Sequence, residues 1–166
     1  HIYNMDLPFI YRIHESPKEE KLRDFLGFVS NLGYQVTGDM KGNKSAAVQK
    51  LLKFVHDKKE GQVLTSLLLR CMQKAIYSPT NVGHFGLGSS CYTHFTSPIR
   101  RYPDTTVHRL LRTYLFNHDL SSHTLNHYQE KLIFIADHSS AMERASVDCE
   151  REVEDMKMAE YMESHI

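Results

Sequence analysis

The chain has 166 residues, 41% of them hydrophobic, which suits one globular domain with a real core. Its 20 Lys+Arg balance 20 Asp+Glu, so a global positive field of the kind that drives non-specific nucleic-acid binding is excluded, and any such site must be local. The odd cysteine count (Cys71, Cys91, Cys149), with no CxxC pair, points to neither a disulfide framework nor a zinc knuckle and suits a cytoplasmic protein; no apolar run approaches the roughly 18 residues of a membrane span.

In chain order, His1 carries no start signal, and the chain reads as a piece of a longer protein. After Pro8, the β-branched and aromatic run Phe9–His14 reads as a strand. Ser16-Pro17-Lys18-Glu19 reads as a capping box opening a helix with Leu22, Phe25, Leu26, Val29 and Leu32 inward and Gly33 as its C′ residue. A second helix is expected from about Ser45 to Lys58, with Val48, Leu51, Leu52 and Val55 inward. The lysines around it (Lys41, Lys44, Lys50, Lys53, Lys58, Lys59) read as a solvated face. A third helix is expected over about Glu60 to Lys74. Ala75-Ile76-Tyr77, His84–Leu87 and Cys91–Phe95 read as short strands.

After Pro103 the pattern is helical to about Asn117, and from Thr124 to the end it is helical again, with a break expected near Asp137-His138-Ser139. The segment from Ser139 on carries eight acids and three bases, a solvated face with Arg144/Asp148 and Arg151/Asp155 as i,i+4 pairs. Its Met156, Met158, Tyr161 and Met162 read as packing residues. His123 and His127 stand four apart but lack the glutamate of HExxH, so they read as surface histidines. The class is α+β, mostly helical.

Chemistry concentrates in Cys91–Asp104. Hydroxyl residues and Pro98 lead into Arg100 and Arg101 at a helix start, where free amides and a partial positive charge favour phosphate and guanidiniums add forked hydrogen bonds. Between Thr96 and Arg112 four arginines (Arg100, Arg101, Arg109, Arg112) face one acid, Asp104, a local charge of +3. Arg101, Asp104 and His108 share one face at helical spacing, so Asp104 and His108 are expected to hold neighbours in place without touching substrate. A thiol site at Cys91 with His94 lacks the rest of a triad.

The run Tyr92-Thr93-His94-Phe95-Thr96-Ser97-Pro98-Ile99-Arg100-Arg101-Tyr102-Pro103-Asp104 with His108 resembles the signature of the ribonuclease II/ribonuclease R (RNB) family. His84-Phe85-Gly86-Leu87, Phe9–Glu15 and Met142-Glu143-Arg144-Ala145 resemble stretches flanking that signature, and Tyr102-Pro103 leans to the ribonuclease R branch. The resemblance implies that the whole chain, 1–166, is the C-terminal portion of an RNB catalytic domain joined to other domains of its parent. It implies processive 3′→5′ hydrolysis of single-stranded RNA to nucleoside 5′-monophosphates, with Mg²⁺ in the parent. Arg100 would stabilise the scissile phosphate, Arg101 would support the same phosphate, and Glu150 would lie near the channel end and affect the terminal nucleotide.

The family's metal-binding aspartates form a cluster, whereas Asp6, Asp24, Asp39, Asp57, Asp104, Asp119, Asp137, Asp148 and Asp155 are scattered singly. No metal ligand is therefore carried over, and the chain by itself is expected to be inactive. The alternatives are a non-catalytic RNA-binding module and a helical protein-interaction domain.

Overall fold

A computed structural model describes residues 1–34 and 44–165. The chain divides into two compact units, one made of His1–Tyr11, Tyr77–Thr80 and His94–Ile166, the other of Arg12–Ile76 and Asn81–Thr93. The mostly helical α+β class holds.

The second unit is built on three helices, α1 (Glu19–Asn31), α2 (Lys44–His56) and α3 (Gly61–Cys71). Their apolar stripes converge: Leu22, Phe25 and Val29 of α1, Val48, Leu51 and Val55 of α2, and Leu64 and Leu68 of α3 form one buried cluster. Leu32, expected inward, is 45% exposed, because it lies past the last helical turn. Gly33 ends α1 with φ +84°, the left-handed C′ position that favours glycine.

The capping box is not formed. Lys18 is the N-cap, with no side-chain cap bond, and Ser16 lies outside α1; Lys18 stays extended (ψ 130°) after Pro17, and Glu19 and Glu20 complement the helix dipole in the first turn. At Gly61 a Cβ would collide with the carbonyls of Val55 and His56, so α3 can start tight against the end of α2 only on glycine. Among the patch lysines, Lys58 instead sits over the Phe54 ring at 4.3 Å. Lys41 and Asp39 lie outside the described residues, as do the side chains of Lys44 and Ser45.

Of the expected strands the first is shorter, the second is displaced by one residue, and the other two are absent. β1 is Tyr11–Ile13 and β2 is Ile76–Ser78, paired as a two-stranded sheet. Phe85–Leu87 is a 3-10 turn, with His84 making isolated bridges to His14 and Ser89, and Cys91–Phe95 is irregular.

In the first unit, α4 (Tyr102–Leu111) runs into a π turn, Arg112–Phe116. Val107, Leu110 and Tyr114 are buried there, and the Tyr114 hydroxyl donates to the Pro8 carbonyl at 3.0 Å; burial pushes that phenol well above its usual pKa. The last helix, α5 (Ser122–Glu163), is continuous over 42 residues, about 63 Å at 1.5 Å per residue. The break expected at Asp137–Ser139 does not occur. Leu132, Ile135 and Ala136 are buried on one side of it, and on the other the Ser140 Oγ accepts the Tyr77 N–H at 2.9 Å, so tertiary contacts outweigh the cap preferences of Asp137 and Ser139. Ser121 caps the start, its Oγ accepting the Thr124 N–H.

Beyond Ser140, α5 has no buried residue. Met156, Met158, Tyr161 and Met162, expected to pack, are 50–66% exposed. The expected Arg144/Asp148 and Arg151/Asp155 pairs do not form among the described residues. Lys157–Glu160 does, at 2.7 Å. Exposed pairs of this kind gain only tenths of a kcal/mol, about what the side-chain entropy costs.

Candidate phosphate-binding site at the start of α4

The turn leading into α4 is fastened at several points. The Ser97 carbonyl accepts the N–H groups of Arg100 (3.3 Å) and Arg101 (3.0 Å). The Asp104 Oδ2 reaches back to accept the Ser97 N–H at 2.8 Å and the Arg101 Nη2 at 2.9 Å. Thr105 Oγ1 donates to the Pro98 carbonyl at 2.6 Å. Pro103 stands in the first helical turn, where a missing N–H costs nothing.

Asp104 is fully buried and the Arg101 side chain is 22% exposed. This is a buried ion pair, strongly destabilising to break from one side. Two of its atoms, Arg101 Nε and Asp104 Oδ1, are buried without a partner among the described residues. Asp104 therefore holds Arg101. It does not bond His108, whose Nε2–H donates to the Phe95 carbonyl at 2.9 Å while its ring stacks on Phe95 at 4.4 Å. Arg101, Asp104 and His108 do share α4, but two separate contacts fix them.

Arg100 sits at the tip of this turn, exposed, and its guanidinium has no hydrogen-bond or ion-pair partner among the described residues. Because Arg101 and Asp104 neutralise each other, the local +3 is carried on Arg100, Arg109 and Arg112, all exposed. Arg109 lies beside Tyr102, with Nη1 3.4 Å from the phenol oxygen.

The expectation of free helix-start amides is corrected. The N–H groups of Asp104 and Thr105 are turned to the Arg101 carbonyl, and those of Arg100 and Arg101 to Ser97; Pro103 has none. The Tyr102 N–H alone of this helix start has no partner among the described residues, so an anion here would be held mainly by guanidinium. Ser97 and Thr105, which lock the turn, were not singled out in the sequence; their hydroxyl-rich setting was the available signal, but it does not reveal which carbonyl each would meet.

Glu150 is exposed on the outer half of α5, about 15 Å along the axis past Ser140, and makes no contact with the turn residues among those described. No group of three or more His, Cys, Asp or Glu among the described residues is placed to hold a metal ion. The donor set at the turn is one buried carboxylate already paired with a cation, which does not fit a Mg²⁺ site needing convergent free carboxylates. No helix among the described residues is long and apolar enough to cross a membrane.

Residues 1–117 match the RNB domain family. The chain is 48% identical over 160 residues to Ribonuclease R 1 of Lactococcus lactis subsp. lactis (strain IL1403), covering 96% of this chain and 20% of that protein. It superimposes on Mycoplasma genitalium RNase R in complex with ribose methylated single-stranded RNA with a TM-score of 0.85 and 34% identity, over 93% of this chain and 24% of that one. Yeast Ssd1, described as a pseudonuclease, matches with a TM-score of 0.58 and 26% identity, over 83% of this chain and 18% of that one. The chain thus spans about a fifth to a quarter of the length of the ribonucleases it matches.

Proposed function

This chain belongs to the RNB-domain family, and on that premise we propose that it is part of a processive 3′→5′ exoribonuclease that hydrolyses single-stranded RNA to nucleoside 5′-monophosphates in the cytoplasm. The observation that carries the reading is Arg100, exposed and without a partner among the described residues, on a turn that Asp104, Ser97 and Thr105 make rigid. A guanidinium fixed in advance needs no reorganisation when charge builds up on a phosphate oxygen, and so favours the transition state over the bound substrate. In this reading Arg100 binds a non-bridging oxygen of the scissile phosphate. Arg101 supports the same region indirectly, because Asp104 already engages its Nη2. Asp104 and His108 position the turn and the start of α4. Glu150 lies near the path of the terminal nucleotide and repels it modestly.

Mg²⁺ supplies Lewis-acid and nucleophile-generating chemistry in such enzymes. The carboxylates described here do not fit it, so its ligands belong to other parts of the parent. A second reading, a non-catalytic RNA-binding module, is favoured by the likeness to a pseudonuclease. The test is incubation of the whole protein with 5′-labelled single-stranded RNA and Mg²⁺. Stepwise shortening from the 3′ end with release of 5′-monophosphates supports the first reading. RNA binding without shortening supports the second.

A further inference from the structure

His14, at the end of β1, and His84, at the start of the 3-10 turn, lie in the same unit with ring centroids 5.1 Å apart. His14 Nε2 lies 2.8 Å from the Gln73 carbonyl, and its Nδ1 lies 2.9 Å from the Gly86 N–H. A carbonyl can only accept and a backbone N–H can only donate, so Nε2 carries the hydrogen and Nδ1 offers a lone pair. His14 is thereby fixed as one neutral tautomer. The His84 Nδ1 likewise accepts the Leu87 N–H at 3.3 Å, sharing that donor with the His84 carbonyl at 3.2 Å.

The backbone follows the same register. The His14 N–H donates to Gly83 and its carbonyl accepts from Phe85, while His84 and Ser89 exchange N–H···O bonds at 2.8 and 3.2 Å. Gly86 is needed here, since a Cβ would stand 2.8 Å from His14 Nδ1.

We propose that His14 and His84 form a pH-sensitive latch, which holds the 84–89 turn closed while His84 is neutral and releases it when His84 takes a second proton. That proton must go onto Nδ1, which puts two donors head to head at the Leu87 N–H. The titratable groups around His84 are His14, Arg12 of β1 and the Tyr92 ring at 5.2 Å, and His14 and Arg12 both oppose a charge there. Burial, then His14 and Arg12, hold His84 below the ordinary imidazole value. A base with a depressed folded pKa stabilises the closed turn fully above the unfolded value of about 6.5. That contribution is lost as pH falls from there towards the folded value. Release would draw out Phe85, which packs against the α1–α3 core cluster.

The latch is independent of the nuclease reading. Its test is hydrogen exchange by mass spectrometry on the whole protein. Exchange at the imidazole C2 should give His84 a titration midpoint below that of a free histidine. After correction for intrinsic rates, the 84–89 backbone should exchange several-fold, up to about tenfold, faster at pH 5.5 than at pH 7.5. In His84→Asn the amide oxygen replaces Nδ1 as acceptor and cannot be protonated. Protection should survive at pH 7.5, and the acid-induced loss at Leu87 should shrink several-fold. A His84 midpoint at or above the free value, or acid loosening as large in His84→Asn as in the unsubstituted protein, overturns the proposal. If His84→Asn fails to fold, the midpoint in the unsubstituted protein decides.

Discussion

Replacing Asp104 with alanine removes a carboxylate that is fully buried, accepts the Ser97 N–H at 2.8 Å and pairs with Arg101 at 2.9 Å. The substitution leaves a mostly buried guanidinium without its counter-charge and a turn N–H without an acceptor. Removing one partner of a buried pair costs about 3–5 kcal/mol. Arg101 keeps some access to water, so the lower end applies, about 3 kcal/mol. At a slope of ~2 kcal/mol per molar, this moves the urea midpoint by about 1.5 M. Arg101→Ala should cost at least as much, because it strands a fully buried carboxylate. The double variant should cost less than the sum of the singles by about 1.5–3 kcal/mol, since losing both charges leaves neither stranded. Asp104→Asn should be milder, retaining an acceptor for Ser97. Urea unfolding of the four proteins, followed by far-UV circular dichroism with slopes compared, completes the cycle. If Asp104→Ala costs under about 1 kcal/mol and the double variant is additive, the pair does not fix the turn and the rigidity ascribed to Arg100 fails.

Three other outcomes follow from the same geometry. The chain by itself should release no mononucleotide from RNA with or without Mg²⁺, which a thin-layer assay of rigorously purified protein checks; any release would reveal ligands the described carboxylates do not supply. Its RNA affinity should be weak and fall with salt at a log–log slope of about −2, the value for about three phosphates met by Arg100, Arg109 and Arg112 on a single strand. A flat salt dependence would point to stacking instead. In the whole protein, Glu150→Ala should strengthen RNA binding by about 1 kcal/mol or less once screened, without abolishing cleavage; complete loss of cleavage with unchanged folding would give Glu150 a chemical role.

The helices with strong apolar stripes were legible because period and burial agree. Leu22, Phe25 and Val29 all reach the core of their unit, as do Val48, Leu51 and Val55. What the sequence hid is set by contacts distant in the chain. Ser140 meets Tyr77, 63 residues away, and α5 passes unbroken through a segment with two good cap residues. His14 meets Gly86 across 72 residues, so a stretch with strand composition becomes a 3-10 turn held by an imidazole. At the site, the arginines and Asp104 were legible as types at helical spacing. Their division into a buried neutral pair and an exposed cation was not, because spacing alone does not say which of two adjacent arginines turns inward.

Single-turnover cleavage beside equilibrium RNA binding, for Arg100→Ala in the whole protein with metal saturating, tests the central claim most directly. In the proposed reading the parent spreads RNA binding over many phosphates, so affinity should change little, whereas loss of one fixed donor to the developing charge should slow cleavage by about 10²–10³, or ~3–4 kcal/mol. Arg100→Lys should recover only part of the rate, keeping the charge without the planar fork. If Arg100→Ala lowers affinity and rate by the same factor, Arg100 is an RNA anchor and not a transition-state contact.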